Sequence, residues 1–406
     1  MQYAIKAPTA LQGTISLPAS KSISNRALII NALSHSNAPI RNLSDCDDTQ
    51  AMWRVLNSGD CNFDIGAAGT AMRFLTAFLS KIVGEWTITG SARMKQRPIG
   101  LLVEALNSLG AKIECVEKEG FPPLRIFGSA LKGGEISLDG SVSSQYISAL
   151  LMLAPTMEKG LTLHLKGNVI SKPYISMTLQ LMEDFGVKTH WENNTICVAP
   201  QDYFPVEYSV ESDWSAASYW YEMLSICGEG ELFLKGLRRN STQGDAKIAE
   251  LFENLGVKTS FKKDGVIISS NKKYTKKFIC DFVEQPDVAQ SFAVACCLRG
   301  IPFLFSGLQS LKIKETDRIA ALIAELGKLG YCLEESGNGI LEWSGKRNET
   351  APNAIIQTYD DHRMAMAFAP AAFAHALSIA NPEVVSKSYP SFWEDLKAAG
   401  FVFSPK

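Results

Sequence analysis

The chain has 406 residues, of which 46% are hydrophobic, and its formal net charge is −2. This length is too great for one ordinary core and predicts two domains of roughly 200 residues each. The balanced charge disfavours a nucleic-acid-binding protein. No run approaches the roughly 18 apolar residues of a membrane span, and Met1–Leu11 lacks the order of a signal peptide, so we expect a soluble, cytoplasmic protein without membrane contact.

Cysteine and histidine are too dispersed to indicate a disulfide framework or a metal. The nine cysteines are odd in number and contain no C-x-x-C pair. The five histidines lack the i, i+4 or Cys/His spacing that zinc sites use. The sequence therefore predicts reduced thiols, no metal and no cofactor.

A polar or Gly/Ser loop, with a cation or an Asp in every case but that of Ser141–Gln145, precedes an apolar helix at several places along the chain. The predicted helices are Ala27–Leu33, Phe74–Leu79, Tyr146–Ala154, Trp214–Ile226, Val288–Leu298, Ile319–Gly330 and Met364–Leu377. Several of them are apolar nearly all round, which predicts burial on every side. Because helix starts favour anions, cations repeated at these positions predict a binding site for anionic ligands.

The most informative of these starts is Leu311–Arg318, which reads L-K-I-K-E-T-D-R. Thr316 is expected to cap the helix that follows. Capping does not require Lys314, Glu315 and Arg318 as well. Taken alone, these charges are equally compatible with a solvated first turn and with a site.

A helix end resembling L-x-x-L-G-(A/V)-K, followed by a strand-like run, recurs along the chain. The glycines, each predicted to be a helix C-cap, are Gly59, Gly110, Gly186, Gly256, Gly330 and Gly400. They are separated by 51, 76, 70, 74 and 70 residues. Glycine is common after helices, but six copies with a matching β-run indicate a repeated unit of two helices and several strands.

Six such units predict two α/β domains of three repeats each. The predicted boundary lies near Glu211–Asp213, between the third and fourth glycines. Met1–Pro18 reads as strands that pair with the C-terminal half. We therefore expect one domain at 20–212 and another formed by 1–19 together with 213–406.

Ten short motifs identify a family when they are taken together in order. They are P-A-S-K-S-I-S-N-R at Pro18–Arg26, A-G-T-A-M-R at Ala68–Arg73, R-M-K-Q-R-P-I-G at Arg93–Gly100, G-S-V-S-S-Q at Gly140–Gln145, S-K-P-Y at Ser171–Tyr174, Gly244–Asp245, Pro286–Asp287, Lys314–Arg318, Asp361–Met366 and S-K-S-Y-P at Ser386–Pro390. The chain resembles the EPSP synthases, the 3-phosphoshikimate 1-carboxyvinyltransferases, nearly end to end.

The resemblance implies a fold and a reaction. The fold is a two-domain inside-out α/β barrel in which each domain has three βαβαββ repeats around buried helices and the active site lies in the interdomain cleft. The interval from Asp48 to Gly66 is short for the family, so we expect the first repeat to lack strands. The reaction transfers the enolpyruvyl group of phosphoenolpyruvate to the 5-hydroxyl of shikimate 3-phosphate through a tetrahedral intermediate. These two small molecules are the implied partners of a monomeric enzyme.

The resemblance also assigns residues to each substrate. Those implied for shikimate 3-phosphate are Lys21, Ser22, Arg26, Ser143, Ser144, Gln145, Ser171, Tyr174, Asp287, Ser310 and Lys314. Those implied for phosphoenolpyruvate are Lys21, Gly69, Arg97, Gln145, Arg318, Arg363 and Lys387. The implied catalytic residues are Asp287 as proton acceptor, Glu315 as proton donor and Lys21.

Three positions depart from the common pattern of the family. Ala67 replaces an Asn and Phe74 replaces a Pro beside the phosphoenolpyruvate residues, which leaves sensitivity to the inhibitor glyphosate open. Ser310 replaces an Asn that contacts the shikimate phosphate. We expect Phe74 to occupy an early helical position, for which Pro would be preset.

Two alternatives remain at this point. The first is the sister enzyme that uses UDP-N-acetylglucosamine, but its catalytic loop Cys has no counterpart at Ser91–Pro98, and Cys115 lies in a strand-like stretch. The second is a non-catalytic anion-binding scaffold of the same fold. It predicts the loss of Asp287 or Glu315, and the chain retains both.

Overall fold

The computed structural model describes residues 1–405, and helices and strands are distributed along all of this range. The helices are α1 Lys21–Leu33, α2 Asp47–Leu56, α3 Gly69–Lys81, α4 Gly100–Ser108, α5 Ser144–Leu153, α6 Lys172–Asp184, α7 Trp214–Cys227, α8 Ile248–Leu251, α9 Ala289–Arg299, α10 Arg318–Lys328, α11 His362–Phe368 and α12 Phe392–Ala398.

The strands are β1 Gln2–Lys6, β2 Leu11–Ser16, β3 Ile40–Arg41, β4 Asn62–Asp64, β5 Glu85–Thr89, β6 Lys112–Cys115, β7 Leu124–Phe127, β8 Gly134–Asp139, β9 Leu161–Lys166, β10 His190–Glu192, β11 Thr195–Val198, β12 Tyr208–Ser209, β13 Gly230–Lys235, β14 Leu255–Lys262, β15 Gly265–Tyr274, β16 Phe278–Asp281, β17 Phe303–Ser306, β18 Tyr331–Gly337, β19 Ile340–Arg347, β20 Ala354–Ile356, β21 Leu377–Ala380 and β22 Val402–Pro405. The mixture of both element types confirms the predicted α/β class.

The chain divides into two compact units. One is Ala19–Val210, and the other combines Met1–Pro18 with the chain from Glu211 onward. In the second unit, β1 pairs antiparallel with β21 and β22, and β2 pairs parallel with β13. The N-terminal strands therefore complete two sheets of the C-terminal half.

Each unit contains three sheets. The unit that combines Met1–Pro18 with the chain from Glu211 onward has three four-stranded sheets, ordered β14-β15-β13-β2, β16-β17-β19-β18 and β20-β21-β1-β22. The unit Ala19–Val210 has two four-stranded sheets, β4-β5-β7-β6 and β10-β11-β9-β8, but its third sheet consists only of β12 and β3. The expected shortening of the first repeat is therefore confirmed.

Several helices lie inside these units and are buried almost along their whole length. Every residue is buried in Tyr146–Leu153 of α5 and in Ala216–Ile226 of α7. This burial confirms the prediction from their all-round apolar sequences. The burial includes a few polar side chains, among them Ser148 of α5 and Glu222 of α7.

Three local expectations are wrong. The helix predicted at Met364–Leu377 ends at Phe368, because Pro370 lies in a 3₁₀ turn and cannot continue the α-helical hydrogen bonds. Gly59 does not have a positive φ, unlike the other five glycines of the series. Gly256 lies within β14 rather than directly after an α-helix. The regular C-cap is thus lost in the first and fourth repeats.

Candidate active site

A dense group of charges in the second unit surrounds the Arg318 guanidinium. Asp317, rather than the expected Thr316, caps α10 by accepting hydrogen bonds from two N–H groups of its first turn. Arg318 is only 2% exposed. Its Nε and Nη2 donate to Asp361 at 2.7 and 3.2 Å, and it also donates to Asp287 and Glu315, each at 3.0 Å. One buried arginine therefore orients three carboxylates.

Three further cations reach the same carboxylates. Lys314 Nζ lies 3.4 Å from Asp287 Oδ1, and Arg363 Nη2 donates to Asp287 Oδ2 at 3.2 Å. Lys387 Nζ donates to Glu315 Oε1 at 2.8 Å. We call this group the Arg318 cluster; its members are Asp287, Lys314, Glu315, Arg318, Asp361, Arg363 and Lys387. It unites six residues that the sequence analysis assigned to the site, and adds Asp361.

The cluster controls the ionisation of Asp287. Burial acts to raise the pKa of Asp287, but the charges of Arg363, Lys314 and Arg318 outweigh it and hold the pKa well below its usual range. Burial also lowers the pKa of Lys314, and Asp287 only partly offsets this effect. Asp287 is therefore an ionised carboxylate that can accept a proton, although its basicity is suppressed while these cations contact it.

Asp245 lies beside the cluster and was not among the predicted site residues. Its side chain is buried, Ser215 Oγ donates to its Oδ2, and its Oδ1 makes no hydrogen bond within residues 1–405. Burial raises the pKa of Asp245 to about 6, and the charge of Asp287 adds to this effect, whereas Arg363 opposes it. The sequence signal was the Gly244–Asp245 motif, to which no role had been assigned.

We expect Asp245→Asn to stabilise the protein at pH 8 but much less at pH 4. The folded state binds a proton at Asp245 up to about pH 6, whereas an unfolded Asp has a pKa of about 4. Stability therefore falls as the pH rises between these values, and the loss of about 3 kcal/mol persists above them. The uncharged Asn avoids this loss.

The measurement for Asp245→Asn is urea unfolding of both proteins at pH 4 and pH 8. The exposed Asp264→Asn is the control, with no expected change between the two pH values. An Asp245→Asn difference that is equal at both pH values would contradict the raised pKa.

In the unit Ala19–Val210, Lys21 is the first residue of α1, which Ser20 caps. Lys21 Nζ lies 3.9 Å from Asp48 Oδ2, near the start of α2. Asp48 is 2% exposed, and its Oδ1 makes no hydrogen bond within the described residues. Asp48 was also missed; the only sequence signal was its position in the first turn of a helix.

The predicted serines lie at two other helix starts. Ser143 caps α5 and accepts a hydrogen bond from Gln145 N at 3.3 Å, while Ser144 is the first helical residue. Gln145 Nε2 donates to Thr70 Oγ1 at 3.3 Å, which links the starts of α5 and α3. Ser171 precedes α6 with a φ of 54°. Hydroxyls beside free helix N–H groups suit an anionic ligand.

Gly69 and Arg97, both predicted for phosphoenolpyruvate, lie in direct contact. A Cβ at Gly69 would lie 2.5 Å from Arg97 Nη1, so the guanidinium occupies the space that any larger residue would need. Arg73 Nη2 and Tyr146 OH donate to the carbonyl of Pro98 at 3.0 and 2.5 Å. Arg73 and Tyr146 were missed, and they hold the segment that carries Arg97.

Arg26 donates hydrogen bonds to residues of its own unit, Ala19–Val210. It is 2% exposed, and it donates to Thr178 Oγ1 at 2.7 Å, to the Ser22 carbonyl at 2.9 Å and to Ser148 Oγ at 3.1 Å. A longer bond of 3.4 Å reaches the carbonyl of Tyr174. These bonds tie α1 to α5 and α6. Its predicted contact with shikimate stays a prediction.

Phe74 is the sixth residue of α3 and is fully buried. Its ring lies 5.2 Å from the guanidinium carbon of Arg26, a cation–π contact. The expectation that Pro would be preset at this position is wrong, because a sixth helical residue donates its N–H to the carbonyl four residues earlier.

The predicted residue Ser310 lies apart from these contacts. It is half-buried in a 3₁₀ turn that precedes Lys314, and within residues 1–405 no hydrogen bond joins its side chain to the Arg318 cluster. The structure therefore shows no contact of the Ser310 hydroxyl that would take the place of the Asn amide found in the family pattern.

Other classes of site were also sought in the part of the chain that the structure describes. No group of three or more His, Cys, Asp or Glu side chains there could hold a metal ion. All nine cysteines are free, and Cys46, Cys296 and Cys297 are buried. No helix within residues 1–405 combines the length and hydropathy needed to cross a membrane.

Comparisons with known proteins agree with this arrangement. The family described as EPSP synthase (3-phosphoshikimate 1-carboxyvinyltransferase) matches residues 5–58 and 54–396. A 3-phosphoshikimate 1-carboxyvinyltransferase from Bacteroides fragilis strain YCH46 is 55% identical over 403 residues, which cover 99% of this chain and 98% of that protein. Another, from Photobacterium damsela subsp. piscicida, is 37% identical over 417 residues, covering 95% and 96%.

A solved structure supports the fold. EPSP synthase from Acinetobacter baumannii superposes with a TM-score of 0.80, at 22% sequence identity and over the full length of both chains. The family match and the full-length identity to curated relatives carry the assignment of activity class. The chain therefore belongs to the EPSP synthase, or 3-phosphoshikimate 1-carboxyvinyltransferase, family of transferases.

Proposed function

We propose that the chain transfers the enolpyruvyl group of phosphoenolpyruvate to the 5-hydroxyl of shikimate 3-phosphate. The products are 5-enolpyruvylshikimate 3-phosphate, a precursor of chorismate and the aromatic amino acids, and inorganic phosphate. The observation that carries the proposal is the Arg318 cluster, in which the candidate base Asp287 and the candidate acid Glu315 both contact one buried arginine.

Phosphoenolpyruvate carries a carboxylate and a phosphate, so its site needs several cations. Arginine offers a planar fork of donors that matches both groups, and Gly69 lets the backbone approach closely. The residues proposed for this substrate are Lys21, Gly69, Arg97, Gln145, Arg318, Arg363 and Lys387. In support, Gly69 contacts Arg97, and three of the others belong to the Arg318 cluster.

Shikimate 3-phosphate adds a second phosphate and carboxylate. The residues proposed to bind it are Lys21, Ser22, Arg26, Ser143, Ser144, Gln145, Ser171, Tyr174, Asp287, Ser310 and Lys314. The positions of Ser143, Ser144 and Ser171 at the starts of α5 and α6 support a phosphate there, because hydroxyl and backbone donors converge at a helix start.

The chemistry requires one proton to be added and one removed in each half of the reaction. Glu315 is proposed to protonate the methylene carbon of phosphoenolpyruvate, which makes its neighbouring carbon electrophilic. The 5-oxygen of shikimate 3-phosphate bonds to that carbon as Asp287 accepts the hydroxyl proton. In the second half, a methyl proton of the tetrahedral intermediate returns to the Glu315 carboxylate and the double bond is restored. Phosphate leaves with the electron pair of the broken C–O bond and takes up the proton held by Asp287, which regenerates both carboxyl groups. Lys21 is the third proposed catalytic residue.

Substrate binding should switch on Asp287 as a base. In the structure, Arg363, Lys314 and Arg318 hold the pKa of Asp287 low despite its burial. A bound carboxylate or phosphate competes for the same cations, which raises the pKa of Asp287 toward the range where a base is effective. The proposal thus couples anion binding to proton abstraction.

We expect Ala67→Asn to strengthen inhibition by glyphosate. The exposed Ala67 lies two residues before α3, and an amide there adds a hydrogen bond to the inhibitor worth about 0.5–1.5 kcal/mol. The measurement is the ratio of the inhibition constant to the KM for phosphoenolpyruvate, with Ala67→Leu as a control of similar size. A ratio that stays equal or rises in Ala67→Asn would contradict the prediction. Phe74→Pro is unsuitable here, since a proline inside α3 costs about 3 kcal/mol or more.

We further propose that the protein acts as a monomer in the cytoplasm. In support of the monomer, residues 1–405 contain no surplus amphipathic helix that would need a partner. In support of the compartment, the nine cysteines are all free, as expected in a reducing environment. Sedimentation at micromolar concentration tests the first point, and cell fractionation tests the second.

The deciding experiment for the reaction is a phosphate-release assay. Purified protein is given phosphoenolpyruvate with either shikimate 3-phosphate or UDP-N-acetylglucosamine, and the enolpyruvyl product is identified by mass spectrometry. Turnover only with shikimate 3-phosphate is expected. Turnover with the nucleotide sugar would favour the sister enzyme, and binding without turnover would favour the scaffold.

A further inference from the structure

Glu325 is a buried carboxylate outside the Arg318 cluster. It lies in α10 with no exposed surface. Its Oε1 accepts a hydrogen bond from Tyr359 OH at 2.6 Å, and its Oε2 accepts from Gln357 N at 2.9 Å and from Lys328 Nζ at 2.6 Å. Lys328 also donates to the carbonyl of Ile355 at 3.0 Å. Both oxygens are therefore satisfied, and they attach α10 to the segment that follows β20.

That segment contains a strained turn. Asp361 N donates to the carbonyl of Thr358 at 2.9 Å, and the two residues between them, Tyr359 and Asp360, have φ values of 53° and 54°. Positive φ at both central positions defines a type I′ turn, which favours Asn and Gly. A bulky residue such as Tyr rarely adopts this conformation, and it persists only where the surroundings hold it.

The hydroxyl of Tyr359 is suited to that holding role. Burial, together with the hydrogen bond and charge of Glu325, raises the pKa of Tyr359 to about 12. The phenol therefore remains a hydrogen-bond donor at neutral pH. Thr358, the residue before it, is fully buried, so the strained turn is covered by protein on one side.

The turn ends at a member of the Arg318 cluster. Asp361 caps α11 by accepting a hydrogen bond from Arg363 N at 2.9 Å, and it pairs with Arg318. Arg318 and Glu325 are seven residues apart, so they lie on one face of α10, about 10 Å apart along its axis. The helix α10 therefore contacts the 355–361 segment through both Arg318 and Glu325, and Arg363 lies two residues beyond that segment.

We propose that Glu325 is a positioning residue for the phosphoenolpyruvate side of the reaction. By clamping Gln357 and Tyr359, it holds the strained turn that places Asp361 and Arg363 against Arg318. The inference rests on the proposed function for its substrate. It requires no contact between Glu325 and either substrate, since Glu325 acts through the turn.

The first test is Glu325→Gln, which keeps the shape but replaces one of the two acceptor oxygens by an amide donor and removes the charge that pairs with Lys328. We expect kcat/KM for phosphoenolpyruvate to fall about 10- to 100-fold, while the dissociation constant of shikimate 3-phosphate for the free protein changes less than about twofold. Tyr359→Phe removes one hydroxyl only and should lose about threefold. Hydrogen exchange of the 357–363 amides should accelerate in Glu325→Gln, and exchange in α5 should not.

The matched control is Glu222→Gln in α7. Glu222 is also a fully buried carboxylate of the same unit, but the hydrogen bonds from Gln357 and Tyr359 go to Glu325 and not to Glu222. Burial raises its pKa well above the usual range, so a neutral amide mimics its protonated form. We expect less than a twofold change in activity.

A rescue variant separates positioning from a general loss of stability. Asn is a favoured first central residue of a type I′ turn. Adding Tyr359→Asn to Glu325→Gln should therefore restore kcat/KM for phosphoenolpyruvate at least about fivefold and return the 357–363 amides to slow exchange. Failure of the rescue, or a parallel loss of shikimate 3-phosphate binding, would overturn the inference. If the parent protein turns over neither substrate, the proposed function fails instead, and the exchange data alone decide whether Glu325 holds the turn.

Discussion

Asp287→Asn is expected to lower turnover by at least about a hundredfold while leaving both substrates bound. The amide keeps the size of the side chain but cannot accept the proton of the 5-hydroxyl, and general-base catalysis typically contributes about 10²- to 10⁴-fold. Asp287 is also the carboxylate that contacts Lys314, Arg318 and Arg363. Removing its charge leaves these cations more available, so the affinity for phosphoenolpyruvate should be equal or tighter.

The measurement combines phosphate-release kinetics with calorimetric binding of each substrate. The matched control is Asp317→Asn, because Asn is as good an N-cap as Asp and α10 should keep its start. Its turnover should stay within about twofold of the parent. Unchanged turnover in Asp287→Asn would remove Asp287 as the base, and a matching loss of affinity would show that its charge serves binding instead.

Arg318→Met is expected to have the largest effect on stability. It removes the cation that pairs with the fully buried Asp361 and with Asp287 and Glu315. Leaving a buried charge without its partner typically costs about 3–5 kcal/mol. A separate effect concerns catalysis. Arg318 is a charged donor proposed to bind phosphoenolpyruvate, and its loss should cost about 3 kcal/mol of binding free energy, so kcat/KM for phosphoenolpyruvate should fall at least about a hundredfold.

Urea unfolding and steady-state kinetics measure these two effects separately. Arg318→Lys keeps the charge without the planar fork, so its stability should lie between those of the parent and Arg318→Met. Arg41→Met is the surface control, because Arg41 and Glu207 form an ion pair in which both side chains are more than half exposed. Its stability should change by less than about 1 kcal/mol. An Arg318→Met protein as stable as the surface control would contradict the buried network.

Local sequence pattern was sufficient for much of the fold. The apolar run predicted as Trp214–Ile226 forms α7 at Trp214–Cys227, because a helix apolar all round has no stable place except the interior. The short interval between Asp48 and Gly66 correctly predicted a first repeat with fewer strands. The helix depends on the pattern within one segment, whereas the shortened repeat is recognised only by comparison with the usual spacing of the family.

The helix boundaries were predicted less accurately than the helices themselves. Thr316 and Asp317 are both acceptable N-caps, and the structure uses Asp317. Met364–Leu377 had the apolar pattern of one long helix, yet Pro370 ends it early. The sequence contained the information in both cases, but two competing local signals had to be weighed.

The motifs marked out Arg318 and Glu315, but their partners required the folded chain. Asp361 lies 43 residues from Arg318, and the Thr178 that binds Arg26 lies 152 residues away. No periodicity links residues at such separations, since packing of distant elements brings them together. The suppressed basicity of Asp287, the raised pKa of Asp245 and the strained turn held by Glu325 are invisible in sequence for the same reason. Each depends on burial and on charges contributed by several helices, which exist only once the chain has folded.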